Sequence, residues 1–103
     1  MDPRIPEPML PDGMELTRTT REFDENTVPK ALLRAHQVAA GVWGNLVVTS
    51  GSIDFVFEDD PGSRRSLPEG SSQPIPPRRP HHIVITGPAC FVVEFYRSAS
   101  TTL

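Results

Sequence analysis

The chain of 103 residues holds one domain and leaves no room for a second of ordinary size. Its 12 prolines are more than twice the usual share and its apolar fraction of 37% is low, which disfavours a helical bundle and favours strands joined by stiff loops. The net charge of −3 gives no general field for nucleic acid or an anionic membrane, and the single cysteine rules out an intrachain disulfide. No segment approaches the ~18 apolar residues of a membrane-spanning helix, and Met1 to Leu16 has no secretory signature, so a cytoplasmic protein is expected.

Residues 1–13, with Pro3, Pro6, Pro8 and Pro11, read as an extended, proline-rich leader. Met14 to Thr20 is a first short strand, and from Lys30 to His36 helix and strand are equally compatible with the pattern. Apolar and polar residues alternate over 45–50 and again over 52–58. Gly51 lies between them, where a tight turn needs positive φ, so the pattern predicts a β-hairpin. Glu58-Asp59-Asp60 reads as a solvated loop tip, as do the pairs Arg64-Arg65 and Arg78-Arg79. Leu67 to Gly70 forms a second turn, and Gln73 to Pro80, with four prolines, runs extended with few ladder bonds. His82 to Thr86 is a strand, Gly87-Pro88 a turn, and Ala89 to Arg97 the last and most apolar strand. Cys90, set among apolar neighbours, is expected to be a small core hydrophobe. Residues 99–103 are a flexible tail, which leaves 14–98 as the domain. Short strands with Gly and Pro turns and no convincing helix make an all-β sandwich, jelly roll or small barrel.

Gly70, Pro76 and His81 narrow this choice. Their spacing resembles the second cupin motif, Gly-x5-Pro-x-Gly-x2-His-x3-Asn, with Arg78 in place of its second glycine and Ile85 in place of its asparagine. Upstream, Gly51 matches the closing glycine of the first cupin motif. Gly44 stands where that motif has a carboxylate, and His36 alone represents its histidine pair. His36-Gln37-Val38-Ala39-Ala40-Gly41-Val42-Trp43-Gly44, the stretch around Gly51, Pro76 to His81 and Glu94-Phe95-Tyr96-Arg97 together resemble a family. Its members are the small cupin-like domains found in tellurite-resistance protein B and in stand-alone YeaR-type proteins. The resemblance covers roughly residues 17–97 and implies a cupin-like double-stranded β-helix, or jelly-roll barrel. It also implies a link to tellurite and other oxyanion stress or to nitrosative stress. Members often carry a lysine shortly after the first histidine, and Val38, Ala39 and Ala40 offer none.

Cupin placement makes His36 and His81 candidate metal ligands at the barrel mouth, and neutral imidazole suits zinc, iron or nickel. The alternative is two strand-end histidines bonded to backbone. Glu94, a carboxylate in the most apolar strand, needs a partner. That partner is either the metal, for which it would be a third ligand, or an arginine such as Arg97 or Arg34. His82 falls on the opposite strand face from His81 and is expected at the surface. Trp43, Tyr96 and Arg97 are candidate ligand-binding residues, with core packing the alternative for Trp43 and Tyr96. The leading functional expectation is a small-molecule-binding cupin-like protein, with a divalent metal as its candidate cofactor. A small metal-dependent dioxygenase or isomerase and a non-catalytic module that forms a homodimer are the alternatives. No nucleotide cofactor, nucleic acid or membrane is expected as a partner. The chain contains no Gly-x-Gly, so a methyltransferase cofactor fold is not expected either.

Overall fold

The computed structural model describes residues 8–99, and among these the regular structure is almost entirely β. The strands are β1 (Met14–Thr19), β2 (Phe23–Asp24), β3 (Val42–Phe57), β4 (Arg65–Pro68), β5 (Ser72–Ile75), β6 (His81–Val84) and β7 (Ala89–Ser98). A single 3-10 turn, Lys30–Leu33, follows Pro29. It settles the ambiguity of that segment: the proline pre-sets φ, Leu32 N–H donates to the Pro29 carbonyl at 3.0 Å, and Arg34 is already extended. The expected leader lies mostly, and the expected tail almost wholly, outside the described residues.

The 16 residues of β3 run as one strand, so the hairpin expected around Gly51 does not form. Gly51 does have positive φ, at 69°, but uses it to bend the strand rather than reverse it. The register against β7 slips between Val48 and Ser50, which marks a bulge at the same place. Before the bend, β3 lies between β5 and β7; after it, between β4 and β6. One strand therefore serves two sheets, with β4–β5 as a similarly bent antiparallel partner on one side and β6–β7 on the other. The outer edge of β7 is covered by β1 and β2.

Pairing shows how far β3 folds over. Gly44 pairs with Ile75 and Phe57 pairs with His81. A straight strand would hold Gly44 and Phe57 roughly 43 Å apart. The chain from Ile75 to His81 reaches at most about 23 Å, and the cross-strand spacings add only about 10 Å. The two ends of β3 must face each other, and the proline-rich stretch 76–80 crosses between the sheets at that end. The acidic run is fastened to this crossing rather than merely solvated. Asp59 holds the Arg79 guanidinium through contacts of 2.9–3.2 Å, and Glu58 pairs with His82. The Arg79 hydrogen bonds hold the Asp59 carboxyl below the usual carboxylate range. The same guanidinium lies 3.7 Å from the centre of the Phe57 ring, so Arg79 is a packed residue and not a solvated loop arginine.

Alternation assigns the faces. Val42, Leu46 and Val48 point inward from β3, as do Phe91 and Val93 from β7. Between the sheets, Phe55, Phe57 and Phe91 are fully buried, with Ile53 and Leu67 beside them. Each buried ring contributes roughly 1.5–3 kcal/mol, against under about 1 kcal/mol for an exposed ion pair such as Arg64–Asp54. The core, not the surface charge, holds the two sheets together. Cys90 faces the other way and is half-buried, so it is not a core residue. Partial burial and the carboxylates of Glu22, Asp24 and Glu25 push its thiol up, which keeps it a poor nucleophile.

At the bend, a β-carbon on Gly51 would collide with the carbonyl oxygen of Pro88 and press on Ala89, both backbone atoms that cannot move aside. Gly51→Val combines this clash with an unfavourable φ and should cost roughly 2–4 kcal/mol. Urea denaturation measures it; an unchanged midpoint would show that the bend does not depend on glycine.

Candidate functional site

Where the two ends of β3 face each other the core is incompletely filled, leaving a cavity of about 270 Å³. Leu46 and Ile75 line it from one sheet, His81 and Ile83 from the other, and Val93 and Phe95 from β7. Pro29, Ala31 and Leu32 close one side. The 3-10 turn therefore acts as a cover, and it packs against β6. The walls are mostly hydrocarbon, with His36, His81, Arg18 and Thr20 the polar exceptions.

His81 is the best-defined of these. It opens β6 directly after the proline-rich crossing, where Arg78 takes φ = 60° and donates its N–H to the Val38 carbonyl at 2.8 Å. Left-handed backbone is where the cupin motif places a glycine, so Arg78 adopts that conformation at a cost of order 1 kcal/mol. Beyond it, His36 and His81 exchange backbone hydrogen bonds of 2.8 and 2.9 Å as an isolated bridge. This bridge brings the two rings edge to face, with centroids 5.6 Å apart. The His81 ring also stacks on Phe55 at 5.3 Å, and the residue is only 2% exposed. Its Nδ1 lies 3.0 Å from the Arg79 carbonyl, which can only accept, so Nδ1 carries the proton and Nε2 keeps the lone pair. Nε2 has no protein partner among the described residues and is the acceptor left free on a ring that lines the cavity. Burial pushes the imidazole below its ordinary pKa; the Arg79 carbonyl opposes this and the His36 charge adds to it. His81 is therefore neutral at pH 7.

A fold of this kind has known counterparts. The TehB-like domain model matches residues 18–93, three quarters of the chain. The chain belongs to the TehB-like domain family. Its two-sheet antiparallel β fold superposes on a crystal structure of an E. coli strain K12 protein with a TM-score of 0.80. The two chains are 22% identical, and the match covers 89% of this chain and 98% of that one. TehB from Haemophilus influenzae matches with a TM-score of 0.72 at 16% identity, over 84% of this chain. The match spans 32% of TehB, so about a third of that protein is represented here. Among curated proteins none matches the sequence.

Within this TehB-like domain, His36 and His81 are brought together as expected, but Glu94 is not brought to them. On β7 the inward residues are Val93 and Phe95, so Glu94 and Tyr96 project from the outer face. There the Glu94 carboxylate accepts hydrogen bonds of 3.0 Å from Asn45 Nδ2 and from the Tyr96 hydroxyl. Its side-chain partners among the described residues are thus Asn45 and Tyr96 and include no arginine. Partial burial and this bond raise the Tyr96 phenol above its ordinary value. Trp43 pairs with Tyr96 across the strands and shares that outer face, half-buried, so neither lines the cavity. Arg97 stands at the rim, beside a second cavity. His82 is on the far face from His81, paired with Glu58. Among the described residues no three His, Cys, Asp or Glu side chains gather closely enough to hold a metal ion. Sites with an open coordination position use three protein ligands, so the histidine pair alone does not fit the zinc, iron or nickel centre expected. Arg18, Phe95 and Leu32 were not legible as site residues: an exposed strand arginine and two ordinary apolar residues carry no motif.

Two outcomes follow from this geometry. Glu94→Gln should leave the metal content of zinc-exposed protein unchanged; a loss on elemental analysis would place the carboxylate with the histidines after all. Because His81 is depressed, the folded protein binds fewer protons there than the unfolded chain. Its contribution to stability is therefore complete above about pH 6.5 and lost as pH falls through the lowered folded value. Urea midpoints between about pH 7.5 and about pH 5 should fall more steeply for wild type than for His81→Gln. Parallel slopes would contradict the burial of a neutral ring.

Proposed function

We propose that this TehB-like domain is a small-molecule-binding module whose site is the cavity between the two ends of β3. The observation that carries the reading is a mostly apolar space of about 270 Å³ lined by His81, a buried neutral imidazole whose Nε2 is left free to accept a hydrogen bond. Apolar walls with few, fixed polar groups are the usual composition of a ligand site. An engineered apolar cavity of about 150 Å³ is enough for benzene, so this one takes a ring with a short chain or a molecule of similar bulk. The ligand is then compact and largely apolar, with one hydroxyl or amine that donates to His81. The dioxygenase and isomerase alternatives rest on a metal-ligand set that the histidine pair does not supply.

Leu32→Trp tests the site without replacing a strand residue, because Leu32 sits on the covering turn and its enlarged side chain would occupy the cavity. By calorimetry or NMR titration with 3-phenylpropanol, the variant should bind at least about tenfold more weakly than wild type. Equal affinity would place binding elsewhere and overturn the reading.

A further inference from the structure

A second cavity, of about 400 Å³, adjoins the first. Arg18, Val38 and Phe95 line both, so these residues form the wall that the two spaces share. Their chemistry differs. The first is lined mostly by hydrocarbon; the second adds Arg97 to the Arg18 that the two share. β1 and β7 set these residues in register: Arg18 lies opposite Phe95, and Arg97 lies two residues further along β7 on the same face. The Arg18 guanidinium rests 4.6 Å from the centre of the Phe95 ring, which steers it across the shared wall. Neither arginine has a carboxylate partner among the described residues, whereas Arg64 and Arg79 are both paired. Glu15, the cross-strand neighbour of Arg97, makes no ion pair with it. The Thr17 hydroxyl, also in this wall, is already bonded to the Phe95 carbonyl at 3.1 Å.

Two uncompensated guanidiniums beside an apolar chamber describe the two ends of one molecule. We propose that the ligand is a small amphipathic carboxylic acid. Its carboxylate lies between Arg18 and Arg97, and its apolar body passes Phe95 into the inner cavity. This inference rests on the small-molecule-binding reading and deepens it. Guanidinium N–H groups match the geometry of a carboxylate, and Phe95 and Val42 line the second cavity together with both arginines. A free inorganic anion would leave the inner cavity empty, and a neutral apolar molecule would leave the arginines unanswered. Only a molecule with both features uses both spaces.

The experiment compares 3-phenylpropionate, 3-phenylpropanol and acetate, titrated against the full chain at low salt. Wild type should bind the acid about tenfold tighter than the alcohol, with the preference shrinking as salt is raised. Acetate should not compete at the same concentrations. Arg97→Gln should abolish the preference for the acid while leaving affinity for the alcohol unchanged, and Arg18→Gln, which also alters the inner wall, should abolish the preference as well. Arg64→Gln, an arginine paired with Asp54 on the outer surface, should keep the full preference. Equal affinity for acid and alcohol in wild type would overturn the carboxylate subsite while leaving the apolar cavity standing. Effective competition by acetate would also overturn it, by showing that the arginines act without the inner cavity. Binding of neither aromatic probe would overturn both readings.

Discussion

The backbone contact between Gly51 and Pro88 fixes the shape from which the other features follow. With no β-carbon at 51, β3 can bend against the Pro88 carbonyl and pass from one sheet into the other. The turns that follow β4 and β6 then fall beside the same bend, so both neighbouring segments fold over with it. Gly70 N–H and Ser71 carbonyl bond to Val48 at 2.9 and 3.0 Å, which pins one of these turns to the strand just before the corner. Only because the strand doubles back do Leu46 and Phe55, nine residues apart on β3, come to belong to facing sheets. The cavity is the space that this fold-over encloses at its open end.

Closing that end takes a different set of forces. The crossing 76–80 has few ladder bonds to give, and its prolines limit how it can adjust. It is held instead by Arg79, which joins Asp59 and covers Phe57, and by the reciprocal backbone bonds of His36 and His81. The second of these contacts fixes the chemistry of the site. By engaging Nδ1 with the Arg79 carbonyl and burying the ring against Phe55, the fold keeps His81 neutral and leaves Nε2 free on a ring that lines the cavity. A buried neutral imidazole needs no counter-charge, which agrees with the apolar walls around it. The outer face of the same sheet has solved its polar problem separately, since Glu94 is satisfied by Asn45 and Tyr96 without help from the interior.

Much of the strand pattern was legible because alternation in a two-layer β fold reports burial directly. β1, β6 and β7 lie close to where the pattern places them, and the spacing from Gly70 to His81 marked the one histidine that is fully buried. Gly51 was recognised as a positive-φ position, yet it was read as a hairpin turn. A turn and a strand bulge make the same local demand, and what distinguishes them is pairing with segments 20 to 40 residues away. Glu94 was misplaced for a plainer reason. Val92 and Val93 are both apolar, so β7 looks buried on both faces, although the period of two sets Glu94 opposite Val93 and Phe95. The acidic run and Arg79 looked like solvated loop residues because nothing local shows that a crossing strand will pass beside them. Arg18 carried no signal at all: its role comes from the ring of Phe95, 77 residues away in the chain.

The central claim is that the two ends of β3 enclose a binding cavity on the inner side of the sheets. Methyl-resolved NMR during titration with 3-phenylpropanol tests it most directly, because inner and outer faces carry separate reporters on the same strands. The account predicts saturable shifts at the methyls of Leu46, Ile75, Ile83 and Val93 and at the His81 ring, with Val47 and Val92 unmoved. Shifts confined to Val47, Val92 and the Trp43 ring would place the ligand on the outer face and contradict it.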